Sequence, residues 1–201
     1  MAKIKYTKNE LKAQRDGLSR FERYLPTLLL KKQQLQVEVR QLEARLAEQE
    51  AAARRLEEGM AAWVKLFAEP FDFAAHLQIR EIRRASGNIA GVNIPVLQEV
   101  VFRRVPPDLL DTPSWVDDGL EALEKLLRLR AEHRVLEEQL RLLSAELRVT
   151  SQRVNLFEKV KIPESRNNIR VIRIFLGDQQ TAAVARSKIA KGKSVEKVRS
   201  A

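Results

Sequence analysis

"KNELKAQRDGLSRFERYLPTLLLKKQQLQVEVRQLEARL" occupies residues 8–46, and its apolar side chains return at alternating steps of three and four. One set falls at Leu11, Leu18, Leu25, Val39 and Leu46, the other at Phe21, Leu28, Leu35 and Leu42. A period of 3.5 residues defines the a and d positions of a heptad and marks a helix that buries one narrow stripe against another helix. The register continues through Ala53, Leu56, Met60, Trp63 and Phe67, so fourteen of seventeen a and d positions are apolar, the exceptions being Gln14, Lys32 and Gln49. Thr7 and Glu10 have capping-box spacing, in which hydroxyl and carboxylate satisfy backbone N–H groups that lack helical partners, so the helix is predicted to start there. Pro26 removes one hydrogen bond, at about 3 kcal/mol in a helix interior. It falls at an outward b position and the register passes it unchanged, so a bend rather than a break is expected.

A second seam follows. Thr112-Pro113 reads as a cap with proline in the first turn, and Asp117 and Asp118 suit the positive end of the helix dipole. Its d positions are Ala122, Leu129, Leu136, Leu143, Thr150 and Phe157, and its a positions Leu126, His133, Leu140, Leu147 and Val154. The register fails at Lys161 and Glu164 around Pro163, and an apolar stripe resumes with Ile169, Ile172, Leu176 and Ala183. Between the seams, "FDFAAHLQIREIRR" is ambiguous between a short helix and a strand. Gly87, Asn88, Gly91 and Asn93 are turn formers and "VLQEVVF" is β-branched, which predicts a β-hairpin over about 79–105. Pro95 limits its strand to an edge or a late start, and Pro106-Pro107 closes the insert.

Two long seams separated by a short insert most simply pair with each other. The expected fold is mainly α, a long antiparallel intramolecular coiled coil of the N- and C-terminal helices with a short β-hairpin insert at the far end. The expected divisions are 1–69 for the first helix, 70–111 for the short helix and hairpin, and 112–201 for the second helix with its basic end. The core is assigned to Leu28, Leu35, Leu42, Leu46 and Leu56 facing Leu136, Leu140, Leu143, Leu147, Val154 and Phe157. The first seam alone would span about 85 Å, against a radius of gyration of about 17 Å for a compact globule of this length. A rod is expected.

The net charge of +10 sits mostly at the ends. Residues 1–20 carry +4, through Lys3, Lys5, Lys8, Lys12, Arg15 and Arg20 against two carboxylates; residues 186–201 carry +5, through Arg186, Lys188, Lys191, Lys193, Lys197 and Arg199 against Glu196. An antiparallel hairpin is expected to merge these into one basic tip. There is no cysteine, which excludes disulfides and thiolate metal sites and fits a reducing compartment. No apolar run approaches membrane-spanning length and the N-terminus has no apolar signal core, so a soluble protein without direct membrane insertion is expected.

Chemical signals are sparse. Gly192-Lys193-Ser194 has the end of a phosphate-binding loop, but Ser187 stands where that motif needs its first glycine. His76 and His133 are far apart in sequence, with no metal-ligand spacing; His133 at an a position suits register selection or a partner. The carboxylates are spread along helix surfaces, with no concave site in which to shift their pKa values. Neither catalysis nor a cofactor is expected. The basic tip is open to three readings: a nucleic-acid-binding arm, for which stacking support is thin because Tyr6 is the only aromatic residue there; solvated helix ends; or a helix inside a protein sleeve, which the alternation of Ala and Val with cations favours. The polar core positions Gln14, Lys32, Gln49, His133 and Thr150 select register or mark where another protein packs.

"KNELKAQRDGLSRFERYLPTLLLKKQQL", "NIAGVNIPVL" and "FEKVKIPESRNNIRVIRIFLGDQQTAAVARSKIAKGK" together resemble the D subunits of the V-type (archaeal and bacterial A/V-type) ATP synthases, over nearly the whole chain. The resemblance implies a non-catalytic central rotor shaft on the cytoplasmic side of the membrane. It implies as partners the F subunit on the stalk, the hexamer of catalytic A and nucleotide-binding B subunits around the paired termini, and the funnel-shaped C subunit that seats on the proteolipid ring. Proton or sodium flow would then turn the shaft and drive ATP synthesis, and hydrolysis would drive the reverse. Lys3, Lys5, Lys8, Arg186, Lys188, Lys191 and Lys193 are the residues expected to face the A/B hexamer. A nucleic-acid-binding arm and a non-rotating protein scaffold are the alternatives, and no nucleic-acid partner is expected.

Overall fold

The computed structural model describes residues 4–199 except 62, 64, 66, 68, 70 and 109–111, with side chains to 193; Lys3 lies outside the described residues. Helix α1 spans Lys8–Met60 and is unbroken at Pro26. Its start is capped as the sequence predicts, the Thr7 hydroxyl accepting from the Glu10 N–H at 3.2 Å. Beside Pro26, the Thr27 hydroxyl donates to the Tyr24 carbonyl at 2.8 Å. Every a and d position from Leu11 to Met60 is at least half-buried and every b and c position is exposed.

The helix ends before its heptads do. Trp63 and Phe67 leave the seam and stack at 5.4 Å, with Phe67 4.9 Å from Phe73 and 5.5 Å from Trp115. Aromatic rings bury large area in such tilted and offset pairs, so these side chains close the end of the helix pair instead of extending it. Helix α2, Phe73–His76, is capped by the Asp72 carboxylate, which accepts from the Ala74 and Ala75 N–H groups. Strands β1 (Leu77–Ile89) and β2 (Val92–Arg104) pair antiparallel from Leu77↔Arg104 to Ile89↔Val92, with irregularities after Ile79 and Arg83. Ala90 (φ 51°) and Gly91 (φ 80°) form the two-residue turn, the left-handed geometry that matches strand twist in tight hairpins. Pro95 pairs with Ser86 inside β2. A two-stranded sheet leaves each strand one open edge, where a missing N–H removes no ladder bond.

Helix α3 spans Val116–Leu156 and α4 spans Ile162–Arg199. The chain divides into two compact units, residues 31–149 and residues 1–30 with 150–201.

In the 31–149 unit the hairpin, expected over about 79–105, spans 77–104 and lies along the helices. Its base, at Leu77, packs on Val116 and Leu120; near its tip, Ile94 is 4% exposed among Leu35, Val39, Leu42 and Leu143. Val116 and Leu143 are separated by about 40 Å of helix. The Gln139 amide donates to the Pro95 carbonyl and Arg84 pairs with Glu138 at 3.6 Å. Ala131, Val135 and Gln139 are consequently buried, although none is at an a or d position.

In the other unit, residues Phe157–Lys161 form a π-helical turn in which the Ile162 N–H bonds the Phe157 carbonyl, five residues back. Such a turn holds one residue more than α-helical geometry. The heptad before it ends with a at Val154 and d at Phe157; after it Ile162, Ser165, Ile169 and Ile172 are buried, with Asn168 beside them, and these four continue the a and d series displaced by one. The loss of register seen in the sequence at Lys161 and Glu164 is therefore a one-residue insertion absorbed within a continuous helix. The widened turn also takes up Pro163, which has no N–H to donate.

Candidate partner-binding surface

The basic C-terminal stretch is the continuation of α4. Tyr6, just ahead of α1, packs its ring on Phe175 at 4.9 Å. Beyond Leu176 every side chain through Lys193 is exposed, including Val184 at 57% and Ile189 at 60%. Arg186 lies about 16 Å beyond Phe175 along the helix and Lys193 about 27 Å. Lys5 and Lys8, both exposed, sit at the level where α1 begins. The two basic clusters therefore do not coincide in one tip as the sequence implied, because α4 outruns the start of α1.

The exposed stretch has an ordered polarity. At 100° per residue, Arg186 and Lys193 share one side of α4 and Lys188 and Lys191 the opposite side. Ala182, Ala183 and Ala190 flank the first pair. The Thr181 and Ser187 hydroxyls bond back to the Gly177 and Ala183 carbonyls at 3.1 and 2.9 Å. A Cβ at Gly177 or Gly192 would meet nothing within 4 Å. The result is a slim, smooth helix with long cations on two sides.

Three of the polar core positions, Gln14, Gln49 and His133, have internal partners. Gln14 donates to Glu10 at 2.9 Å and accepts from Asn168 at 3.4 Å; Gln49 donates to Glu132 at 2.6 Å. His133 lies 3.4 Å from Glu137, Lys32 is half-buried, and Thr150 is 1% exposed. Of the residues assigned to the core, Leu35 and Leu143 are fully buried, and Leu42 and Val154 nearly so. Leu28, Leu46, Leu56, Leu136, Leu140, Leu147 and Phe157 are half-buried, with Phe157 5.1 Å from Phe21.

The structure places Gly192-Lys193-Ser194 within α4, so their backbone N–H groups are not splayed into a loop that could cradle phosphate. His76 stacks on Phe71 at 4.9 Å, with Nδ1 3.0 Å from the Val105 carbonyl. No group of three metal-ligating side chains forms among the described residues, and no described helix is long and apolar enough to cross a membrane. The Glu121 carboxyl is held below its usual range by its hydrogen bond and charge pairing with Lys125. Arg83 is raised by its hydrogen bond to Glu81 and by the charges of Glu81 and Glu99. Both are surface ion pairs.

A family model for the D subunit of ATP synthase matches residues 10–192. The chain is 48% identical over 199 residues to a V-type ATP synthase D subunit from Borreliella burgdorferi, covering 99% of this chain and 98% of that protein. It is 39% identical over 195 residues to the protein of that name from Chlamydia muridarum, covering 96% of each, and 36% identical over 195 residues to that of Chlamydia caviae, covering 96% of this chain and 94% of that one.

Proposed function

The chain belongs to the ATP synthase D-subunit family and is a component of a V-type ATP synthase, and from that premise we propose that it is the complex's non-catalytic rotor shaft. The exposed, doubly basic stretch of α4 is the observation that carries this reading. A helix with cations on opposite sides suits a partner that encloses it better than one flat surface. The small side chains allow close approach, and long cations in water exchange partners at low cost, because exposed ion pairs are worth about 0–1 kcal/mol each. Such contacts hold a shaft in its bearing without fixing it at one angle.

The enclosing partner is the hexamer of catalytic A and nucleotide-binding B subunits, with acidic patches facing Arg186, Lys188, Lys191 and Lys193; Lys5, Lys8 and Lys3 serve the same socket. The F subunit binds the exposed faces of the middle heptads, roughly 36–59 and 130–153, and the funnel-shaped C subunit links the shaft to the proteolipid ring on the cytoplasmic side. The interdigitated a/d seam gives the twisting stiffness that torque between ring and hexamer requires, so ion flow is coupled to ATP synthesis or hydrolysis. Replacing Arg186, Lys188 and Lys191 together with glutamine is expected to weaken assembly and lower ion transport per ATP hydrolysed, most strongly at low salt, where surface charge is least screened. Unchanged assembly, turnover and coupling at both low and high salt would rule out the bearing role.

A further inference from the structure

We infer that Arg15 and Arg173 form a two-guanidinium receptor for a carboxylate side chain of an enclosing partner protein; this inference rests on the rotor reading above. In an antiparallel helix pair the e positions of the two helices face each other along one flank. Glu22 on α1 and Arg166 on α4 are such a pair, with N and O at 2.7 Å. One heptad back on α1 and one heptad on along α4, the corresponding positions are Arg15 and Arg173. Both line one open groove of about 320 Å³ with Leu18, Glu22, Arg166 and Ile169. Opposed like charges destabilise a helix pair where opposite charges would support it. No described carboxylate pairs with Arg15 or Arg173.

The juxtaposition depends on the π turn. Had α3 continued in α-helical register, Ser165 and Ile172 would occupy the e positions and Arg166 and Arg173 would point outward at f. The inserted residue thus carries both arginines to the groove, where Arg166 pairs with Glu22 and Arg173 shares the lining with Arg15. Guanidinium groups bind carboxylates in a planar, bidentate fork, and the Leu18 and Ile169 floor limits the water competing for that contact. The charge balance inside the groove is left to be completed from outside, by an aspartate or glutamate of the protein around this unit.

Arg173→Glu separates this role from a structural one, because the two effects have opposite signs. In the isolated chain the introduced carboxylate complements Arg15, and the substitution is expected to raise Tm by about 1–3 °C. When co-expressed with the other subunits of its complex, the variant chain is expected to be retained at least about tenfold less than wild type, as befits loss of a desolvated charge contact. Arg173→Lys keeps the positive charge and is expected to retain most of the incorporation. Wild-type and Arg173→Glu chains retained equally would overturn the inference while leaving the rotor reading standing. Failure of the wild-type chain to enter the complex would overturn both. A higher Tm of the wild-type chain with tripolyphosphate, absent in Arg173→Glu, would assign the groove to a small polyanion and overturn the protein-carboxylate version.

Discussion

Single side chains in this protein carry very unequal weight, and their register predicts which ones matter. Leu35 and Leu143 are 0% exposed within one cluster, whereas Leu30, five residues before Leu35 on the same helix, is 60% exposed. Truncating a fully buried leucine loses transfer free energy and leaves a cavity, so Leu143→Ala is expected to cost about 2–5 kcal/mol, while Leu30→Ala should stay within about 0.5 kcal/mol. Chemical denaturation of the two variants side by side checks this. The hairpin turn carries a local cost of another kind: Ala90 adopts φ 51°, a conformation that disfavours a residue with Cβ and no side-chain polar group. Asparagine tolerates it, and Asn-Gly is the favoured pair for this turn. Ala90→Asn is expected to stabilise the chain by about 0.5–1 kcal/mol, read from the same denaturation curves.

At the scale of elements, the π turn decides whether α4 packs. It holds one extra residue between Phe157 and Lys161 and so keeps Ile162, Ile169 and Ile172 facing α1. Deleting Val160, which is 48% exposed, together with Pro163→Ala should convert the turn to α-helix and leave the same isoleucines in an uninterrupted heptad series. The expected result is unchanged helicity with a Tm within about 3 °C of wild type. Adding one alanine after Val160 should instead rotate the stripe by about 100° and cost several kcal/mol through lost apolar burial. Thermal denaturation followed by circular dichroism distinguishes the two; equal stability of both variants would show that the turn does not set the register. The hairpin acts on α3 in a comparable way, burying Ala131, Val135 and Gln139 on a second face, and this explains why that helix has more buried positions than a two-helix seam provides.

For the molecule as a whole, the exposed end of α4 separates function from folding. Because every side chain from Gly177 to Lys193 is exposed, a chain ending at Leu176 should melt within about 2 °C of the full-length protein. On the rotor reading it should also fail to be retained by the hexamer, which differential scanning calorimetry and co-purification measure separately. Much of this architecture was legible in the sequence because a heptad is a local signal: the side of α1 on which Leu35, Val39 and Leu42 lie follows from their spacing alone. The capping of α1 by Thr7, the hairpin, and the basic, small-residue character of residues 177–193 were legible for the same reason. Trp63 and Phe67 misled, since they continue the heptad by spacing and are apolar, yet their rings gain more from Phe73 and Trp115, partners that the linear pattern does not identify. The displacement of the two basic clusters was hidden because charge counting gives no level along a helix pair. By itself the sequence determined the periodic elements and their buried stripes, because those depend on residues within a turn or two of one another. Only the tertiary structure decided that the hairpin lies along α3, that α4 outruns α1, and that Arg15 and Arg173 line one groove. Those outcomes depend on packing between segments tens to more than a hundred residues apart, and in the case of Arg173 on one inserted residue whose effect appears only when two helices are brought together.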